Sequence, residues 1–236
     1  MNRYEWIFFD LFDTLATVEE ELYYEGKRLA AESVGVEPEA FMAAWRKTSP
    51  EASVGKLRAP FDRAKKALEA LGIRDREAAS EVARRDVETI QKCVVLYDGA
   101  REALEELRTR GFQLGLISNA TATTAFAIGP MRIRDFLDVL VFSYEVGIVK
   151  PDPAIFLKAL ERAGCTAEHS LFVADGANGE LDGASALGFG VICLDHPLKA
   201  HSFRNPATLS DPCHPRVTSF SELLALPELS GPLAHA

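Results

Sequence analysis

The chain has 236 residues, of which 47% are hydrophobic and 26% are charged, and its formal net charge is −9. This length allows one large domain, or a core domain with a smaller insertion, and the composition is ordinary for a soluble globular protein. The acidic balance argues against nucleic acid or an anionic membrane surface as the main partner, and no apolar stretch approaches the length that spans a bilayer.

The first predicted element is a strand at residues 6–9, where four large apolar residues, Trp-Ile-Phe-Phe, stand together. Such an unbroken run is typical of a strand buried on both faces, as parallel sheets require. Asp10 follows directly, so its carboxylate is expected at the carboxyl edge of the sheet, where open α/β folds place their chemistry. Burying a carboxylate at this edge costs free energy unless a cation or hydrogen-bond donors bind it.

The next region, from Ala16 to Lys92, has no strand signal and is filled by helical periodicity. We interpret residues 17–92 as a helical bundle that is inserted into the chain and caps the carboxyl edge of the sheet above Asp10. The inner faces of four predicted helices carry Leu22, Leu29 and Ala30; Phe41 and Trp45; Phe61, Ala64, Ala67, Leu68 and Leu71; and Ala79, Val82, Ala83, Val87 and Ile90.

From Asp98 onward, predicted helices and strands alternate, as in a doubly wound domain. Apolar runs predict strands at residues 114–117, 139–142, 171–174 and 191–194, and Asp152-Pro153 is a strong helix-initiating pair. The stretch from His196 to Pro215 is predicted to be loop, and a short strand at 216–217 and a helix at 221–226 follow it. Residues 1–16 and 93–236 are thus expected to form the core domain.

Polar residues stand at or just after the ends of these strands. Ser118-Asn119 and Asp175 each follow a strand directly, and Lys150 follows another through a short loop. Because the carboxyl ends of parallel strands share one edge of a sheet, we expect these groups to lie near Asp10. Together they form a set that can hold a phosphate and a metal ion.

The cysteines bear on the location of the protein. Cys93, Cys165, Cys193 and Cys213 are far apart and form no C-x-x-C pair, so neither a zinc site nor a redox motif is expected. Free thiols in a reducing compartment are the simpler interpretation. The apolar run that ends at Asp10 is too short for a signal peptide, and we expect a cytoplasmic protein.

Four segments carry a family resemblance: D-L-F-D-T-L at 10–15, I-S-N at 117–119, V-G-I-V-K-P-D-P at 146–153 and V-A-D-G-A-N-G-E-L-D-G-A at 173–184. In this order, each at or just after the end of a predicted strand, they make the chain resemble the haloacid dehalogenase superfamily, a group of hydrolases dominated by phosphatases. The resemblance implies an α/β fold, with a Rossmann-like parallel sheet core and an inserted α-helical bundle as cap.

The resemblance also implies a role for several residues. Asp10 would be the nucleophile and form a covalent aspartyl intermediate, with Lys150 and Ser118 as further catalytic residues. Lys150 would offset charge on the nucleophile and the phosphoryl group. The substrate, a small phosphorylated molecule, would be bound by Thr14, Ser118, Asn119 and Lys150.

A magnesium site is predicted from the carboxylates. Asp10, Asp175 and Glu180 would repel one another unless a cation lies between them, and an all-oxygen ligand set around a phosphate suits Mg²⁺. We expect Asp10, Asp175 and the backbone carbonyl of Phe12 to bind the ion directly, and Glu180 to act through water or through contacts with the other ligands. The alternative for Glu180 is a helix N-terminal charge that favours the macrodipole.

The chain departs from the family pattern at Phe12, because phosphatases of this superfamily usually carry a second Asp there as general acid and base. Phe cannot transfer a proton, and in an extended segment Asp13 points away from Asp10, although a local turn would bring it round. Three alternatives stay open: a Mg²⁺-dependent phosphatase, a 2-haloacid dehalogenase with Asp10 as nucleophile, or a catalytically weak ligand-binding relative. Cap residues Tyr23, Tyr24, Lys27 and Arg46 are candidates for substrate selection.

Overall fold

Eight strands and eleven helices make up the computed structural model, which describes residues 4–197 and 213–229. The strands are β1 (Trp6–Phe9), β2 (Ala16–Val18), β3 (Val94–Leu96), β4 (Gln113–Ser118), β5 (Val139–Phe142), β6 (Ser170–Ala174), β7 (Gly190–Leu194) and β8 (Arg216–Val217). The helices are α1 (Glu20–Glu32), α2 (Pro38–Lys47), α3 (Ser49–Ser53), α4 (Pro60–Glu69), α5 (Arg76–Cys93), α6 (Ala100–Thr109), α7 (Ala125–Met131), α8 (Ser143–Val146), α9 (Pro153–Ala163), α10 (Glu180–Ala186) and α11 (Phe220–Leu224).

Six of the strands form one parallel sheet in the order β5-β4-β1-β6-β7-β8. The predicted strand β1 lies in its middle and is buried on both faces, as its apolar run indicated. Ile7 and Phe9 pack on the side of α6, and Phe8 packs on the side of α9. The predicted α/β class with a parallel sheet is therefore confirmed.

A glycine in β4 accommodates the ring of Phe8, one of the aromatic side chains of β1. Phe8 pairs in register with Gly115 on the neighbouring strand, and a Cβ atom at Gly115 would collide with the Phe8 ring. Because Gly115 has no side chain, the Phe8 ring can lie against the backbone of β4. The same ring packs edge-on against Phe189, with ring centroids 6.0 Å apart. The packing fixes β1, and with it the position of Asp10 at the strand end.

Five helices, α1 to α5, lie between β2 and β3, which pair as a two-stranded antiparallel ribbon. Helices α1 and α4 pack against α5, and the stacked rings of Phe41 and Trp45 fill the space between them with Ala64, Leu68 and Val82. The sequence predicted four helices here; α3, with five residues, is too short to show a period. The ribbon was not predicted either, because three-residue strands carry no alternation.

One predicted helix face in this region is wrong. Helix α1 exists, but Leu22 and Leu29 are 44% and 40% exposed, and the buried face is formed by Lys27, Ala30 and Ala31. The reason is an ion pair: the Lys27 ammonium group meets the Asp86 carboxylate of α5, and both side chains are buried. That pair sets the rotation of α1, which turns the two leucines outward.

The end of the chain follows the prediction where the structure describes it. The short strand at residues 216–217 and the helix near 221 are both present as β8 and α11. Most of the predicted loop between His196 and Pro215, residues 198–212, lies outside the described residues. Within the described part of the chain, no helix has both the length and the apolar character needed to cross a bilayer.

Candidate active site

The strand-end residues meet in one cavity of about 310 Å³ at the carboxyl edge of the sheet. Asp10 follows β1, Asn119 follows β4 and Asp175 follows β6, while Lys150 precedes α9 and Glu180 begins α10. The cavity is lined from the core by Asp10, Phe12, Asp13, Asn119, Ala120, Thr121, Thr124, Lys150, Asp175, Ala177, Asn178 and Glu180, and from β2 and the inserted helices by Val18, Tyr23, Ser53 and Ile90.

Lys150 is held between two carboxylates at the floor of the cavity. Its Nζ lies 2.5 Å from Asp10 Oδ1 and 2.5 Å from Glu180 Oε2, and all three side chains are buried. Burial acts to lower the pKa of Lys150, but the adjacent Asp10 and Glu180 carboxylates outweigh it, so the pKa is raised above its ordinary value. The lysine is therefore a fixed positive charge beside the predicted nucleophile.

Three carboxylates converge on this point. One oxygen from each of Asp10, Asp175 and Glu180 lies within 4.8 Å of the others, and all three residues are buried. Burial raises the pKa of Asp10 and that of Glu180, which Lys150 opposes and Asp175 reinforces. One lysine does not balance three carboxylates, so the cluster favours a divalent cation.

A test of fit for that cation comes from Glu180. Its Oε2 atom bonds Lys150, whereas its buried Oε1 atom has no hydrogen-bond partner among the described residues. A buried carboxylate oxygen left in this state is costly, and a metal ion or its water is the kind of partner that satisfies it. The oxygen-only cluster thus fits Mg²⁺, with Asp10, Asp175 and Glu180 as the residues that would hold it.

Asn119 is engaged by the main chain of Lys150. Its Nδ2 donates to the Lys150 carbonyl oxygen at 3.1 Å, and its Oδ1 accepts from the Lys150 N–H at 2.7 Å. Both polar groups of the amide are thus bonded to the segment that carries the lysine. Asn119 also lines the cavity, so the substrate contact that the sequence predicted for it stays a prediction, beside its observed bonds to the Lys150 main chain.

Ser118 and Thr14 lie behind the cavity wall. Both are fully buried, and neither is among the described residues that line the cavity. The hydroxyl of each lacks a hydrogen-bond partner within the described ranges 4–197 and 213–229. Their predicted contacts with substrate remain predictions. A buried hydroxyl without a hydrogen-bond partner destabilises the fold by about 1–3 kcal/mol, and a hydrogen bond to a ligand or to water would remove this cost.

The segment after Asp10 brings a further carboxylate into the cavity. Phe12 lines it as expected, but Asp13 adopts a left-handed backbone conformation with φ 55° and also lines it. The Tyr97 hydroxyl donates to Asp13 Oδ1 at 3.3 Å, and burial raises the pKa of Tyr97 to about 12. The local turn that the sequence left open is therefore present, and it gives Asp13 a place beside Phe12.

His196 supports the same loop from behind, a role that sequence reasoning missed. Its Nε2 lies 2.9 Å from the carbonyl oxygen of Thr14, and because a carbonyl only accepts, Nε2 must carry the proton. The imidazole ring also stacks on Tyr97, with centroids 3.9 Å apart. His196 comes from the loop after β7, so only tertiary structure brings it to the loop that follows Asp10.

Among the four cap residues proposed for substrate selection, Tyr23 alone lines the cavity. Tyr24 and Arg46 lie in a separate groove on the surface of α1 and α2, and Lys27 is buried against Asp86. Val18, Ser53 and Ile90 line the cavity instead and were not singled out as site residues. The sequence did place Ile90 on the apolar inner face of a predicted helix, but this pattern indicates burial and not a position in the site.

The inserted helices are tied to the core beside the cavity. The Asp86 carboxylate, paired with Lys27, also accepts a hydrogen bond from the Thr123 hydroxyl at 2.7 Å. The Ser143 hydroxyl accepts from the Ala120 N–H at 2.9 Å and lies 2.7 Å from the Ser53 carbonyl oxygen. Both contacts reach the loop that follows β4, whose residues Thr121 and Thr124 line the cavity.

Comparison with known proteins gives a consistent family. The model of the haloacid dehalogenase-like hydrolases matches residues 4–188. A glyceraldehyde 3-phosphate phosphatase from Methanothermobacter thermautotrophicus is 33% identical over 103 residues, which are 43% of this chain and 46% of that protein. A phosphoglycolate phosphatase from Pseudomonas fluorescens is 32% identical over 130 residues, or 54% of this chain and 47% of that protein. The chain thus matches somewhat under half the length of these curated relatives.

Solved structures share the fold across nearly the whole chain. A 2-haloacid dehalogenase from Pseudomonas syringae pv. tomato DC3000 superimposes with a TM-score of 0.71 at 24% identity, covering 96% of this chain and 97% of that chain. A phosphatase of the same superfamily from Thermococcus onnurineus gives a TM-score of 0.62 at 19% identity, covering 93% and 96%. At these identities the likeness shows the fold alone, and it confirms the predicted sheet architecture.

Proposed function

Because this chain belongs to the haloacid dehalogenase-like hydrolase family, we propose that it hydrolyses a small phosphate monoester through an aspartyl-phosphate at Asp10. The observation that carries the proposal is the buried cluster of Asp10, Asp175 and Glu180, in which one oxygen of each lies within 4.8 Å of the others, beside Lys150. A phosphoryl group is the substrate for which such a cation-binding, oxygen-only site is suited.

The chain's own residues support two steps. In the first, the Asp10 carboxylate attacks phosphorus, the bond from phosphorus to the ester oxygen breaks, and that oxygen takes its proton from water; in the second, water hydrolyses the aspartyl-phosphate, which releases phosphate and restores the Asp10 carboxylate. Lys150 holds Asp10 Oδ1 at 2.5 Å and offsets charge on the transferred group. When bound by Asp10, Asp175 and Glu180, together with the proposed Phe12 carbonyl ligand, Mg²⁺ would offset further negative charge on the phosphate.

Phe12 restricts this reaction, since it supplies no proton to the departing oxygen. The apolar ring lines the cavity next to the nucleophile loop, where it lowers the local polarity. Proton donation is typically worth about 10²–10⁴-fold in rate. The proposed enzyme is therefore slow, or selective for esters whose leaving group needs little protonation.

A second candidate, 2-haloacid dehalogenation, is favoured by the same residue, because halide leaves carbon without a proton. Two observations weigh against it. The carboxylate cluster calls for a cation that a displacement at carbon does not need. The segment Trp45-Arg46-Lys47, which faintly resembles a dehalogenase substrate segment, does not line the cavity: Trp45 is buried among the inserted helices.

The test is phosphate release from p-nitrophenyl phosphate, whose leaving group needs little protonation. We expect turnover with Mg²⁺, its loss with EDTA, and its loss in Asp10→Asn. Asp182→Asn is the matched control, because this carboxyl lies on α10 outside the cavity and bonds His214. No turnover under any condition, together with chloride release from 2-chloropropionate, would replace the proposal by the dehalogenase alternative.

A further inference from the structure

The charge of the cavity wall is strongly one-sided. Among the described residues that line it, four are acidic, namely Asp10, Asp13, Asp175 and Glu180, and Lys150 is the single base. Lys150 is bonded to two of these acids, so its charge is directed at the floor of the cavity. A cation and a phosphate at Asp10 would both be bound at this end of the cavity.

A second part of the cavity lining comes from β2 and the inserted helices, and we name it the far wall; it would contact the organic part of a substrate whose phosphate is bound at Asp10. Its lining consists of Val18, Tyr23, Ser53 and Ile90, which offer aliphatic, aromatic and hydroxyl groups. Tyr23 stays neutral at physiological pH, because burial raises its pKa to about 12. This wall thus offers hydrogen bonds and apolar contact but, within the described part of the chain, no positive charge.

Two cations of the inserted helices lie close behind this wall, and both are bonded to other groups. Lys27 pairs with Asp86, and its Nζ lies 3.9 Å from the centre of the Trp45 ring. The Arg63 guanidinium also lies over the Trp45 ring, with its Cζ 4.4 Å from the ring centre. Arg63 also donates to the Thr48 hydroxyl and the Ser49 hydroxyl, each at 3.0 Å. Neither residue is among the described cavity-lining residues.

A second anionic group on the substrate would therefore be poorly accommodated. It would lose its hydration next to several carboxylates and meet no positive partner on the far wall, and both effects oppose binding. The cavity volume of about 310 Å³ also lies at the small end of the range for ligand sites.

We propose that the substrate is a monophosphate ester whose organic part is small and uncharged, and that carboxylated phosphates and bisphosphates are rejected. This inference rests on the proposed phosphate-ester hydrolysis and adds the substrate class. Of the two phosphatase relatives described above, it favours a chemistry like that of the glyceraldehyde 3-phosphate phosphatase over that of the phosphoglycolate phosphatase.

The test compares glycerol 3-phosphate with 3-phosphoglycerate, which share a phosphate and a three-carbon skeleton and differ in a hydroxymethyl or carboxylate end. With Mg²⁺, we expect kcat/KM to be at least about tenfold higher for glycerol 3-phosphate, since like-charge contacts at a binding site cost more than that. Equal or higher kcat/KM for 3-phosphoglycerate overturns the substrate class and leaves the phosphatase proposal intact.

A charge placed on the far wall should change this preference. Ile90→Lys is expected to raise the ratio of 3-phosphoglycerate to glycerol 3-phosphate turnover by about tenfold, whereas Ile90→Met, of similar length without charge, should leave the ratio unchanged. Circular dichroism verifies that both variants are folded. An identical ratio in two folded variants overturns the role assigned to this wall.

Calorimetric titration of the same two ligands into the Mg²⁺-supplemented wild-type protein separates the two proposals. Tighter binding of glycerol 3-phosphate without any turnover supports the preference for an uncharged organic part and contradicts hydrolysis. Tighter binding of 3-phosphoglycerate contradicts the substrate class whatever the turnover. Binding of neither ligand, with no turnover of either, contradicts both proposals.

Discussion

The side-chain amide of Asn119 brackets the main chain of Lys150, donating to its carbonyl oxygen at 3.1 Å and accepting from its N–H at 2.7 Å. Asn119 follows β4 and Lys150 precedes α9, so the pair joins two strand-end loops that are 31 residues apart. Since Lys150 in turn holds Asp10 and Glu180, the amide fixes the lysine that organises the cavity floor.

Removal of this amide should therefore impair catalysis through Lys150. We expect Asn119→Ala to lower kcat for p-nitrophenyl phosphate by about 10–100-fold, because a displacement of the order of 1 Å is enough for such a loss. Asn119→Asp, which keeps the acceptor for the Lys150 N–H but loses the donor, should fall between wild type and Asn119→Ala. A rise in KM alone, with kcat unchanged in Asn119→Ala, would point to direct substrate binding instead.

Metal binding should be visible as thermal stability before any substrate is found. At a Mg²⁺ concentration of about 100 times Kd, a ligand that binds only the folded state adds about 2.7 kcal/mol, which corresponds to roughly 5–10 °C in Tm for a chain of this size. Differential scanning calorimetry in Mg²⁺ and in EDTA measures this shift.

The matched variants are Asp175→Asn and Asp182→Asn. The first removes a carboxylate of the cluster, and we expect it to abolish the Mg²⁺ shift; the second lies outside the cavity and should retain it. A shift that survives in Asp175→Asn would place the ion elsewhere, and the absence of a shift in the wild type would remove the metal from the proposed mechanism.

The strands and the placement of the site were predictable because both depend on local patterns. Unbroken apolar runs identify strands buried on two faces, and the polar residues that end them necessarily meet at one edge of a parallel sheet. Asp10, Asn119, Lys150 and Asp175 were found in this way, and the structure brings them to one cavity.

The remaining features depend on tertiary contacts that no local pattern encodes. The rotation of α1 follows from the Lys27–Asp86 pair, whose members are 59 residues apart. Asp13 reaches the cavity because its φ of 55° breaks the extended alternation that the sequence argument assumed. Tyr97 follows β3 and His196 follows β7, and both contact the loop after Asp10; neither belongs to a sequence motif that would have indicated this.

The buried pair of Lys27 and Asp86 leads to a prediction about stability. Asp86→Ala leaves a buried ammonium group without its carboxylate partner, and we expect the free energy of unfolding to fall by about 3–5 kcal/mol. Thr123→Val removes only the hydrogen bond from a neutral hydroxyl to the Asp86 carboxylate, and a smaller loss of about 1.5–3 kcal/mol is expected. Urea unfolding monitored by tryptophan fluorescence measures both changes.

A double replacement controls for the volume that is lost. Lys27→Met with Asp86→Leu removes both charges together, so it should be clearly more stable than Asp86→Ala alone. If the double variant is as unstable as the single one, shape rather than charge compensation determines the packing of α1 on α5.

Phe12 is the residue at which catalysis should be improvable. It lines the cavity two positions after Asp10, so a carboxyl group placed there would face the same space as the departing oxygen. We expect Phe12→Asp to raise kcat for alkyl phosphates such as glycerol 3-phosphate, by up to about 10²-fold, and to change turnover of p-nitrophenyl phosphate little, because that leaving group needs little protonation.

Phe12→Asn is the matched control, since it introduces a polar side chain of the same size that cannot transfer a proton. A gain confined to Phe12→Asp and to alkyl esters would identify proton donation as the step that Phe12 limits. Equal gains in both variants would instead indicate that polarity or space near Asp10 is limiting. No gain in either would mean that the backbone turn that carries Asp13 into the cavity leaves position 12 unable to reach the leaving group.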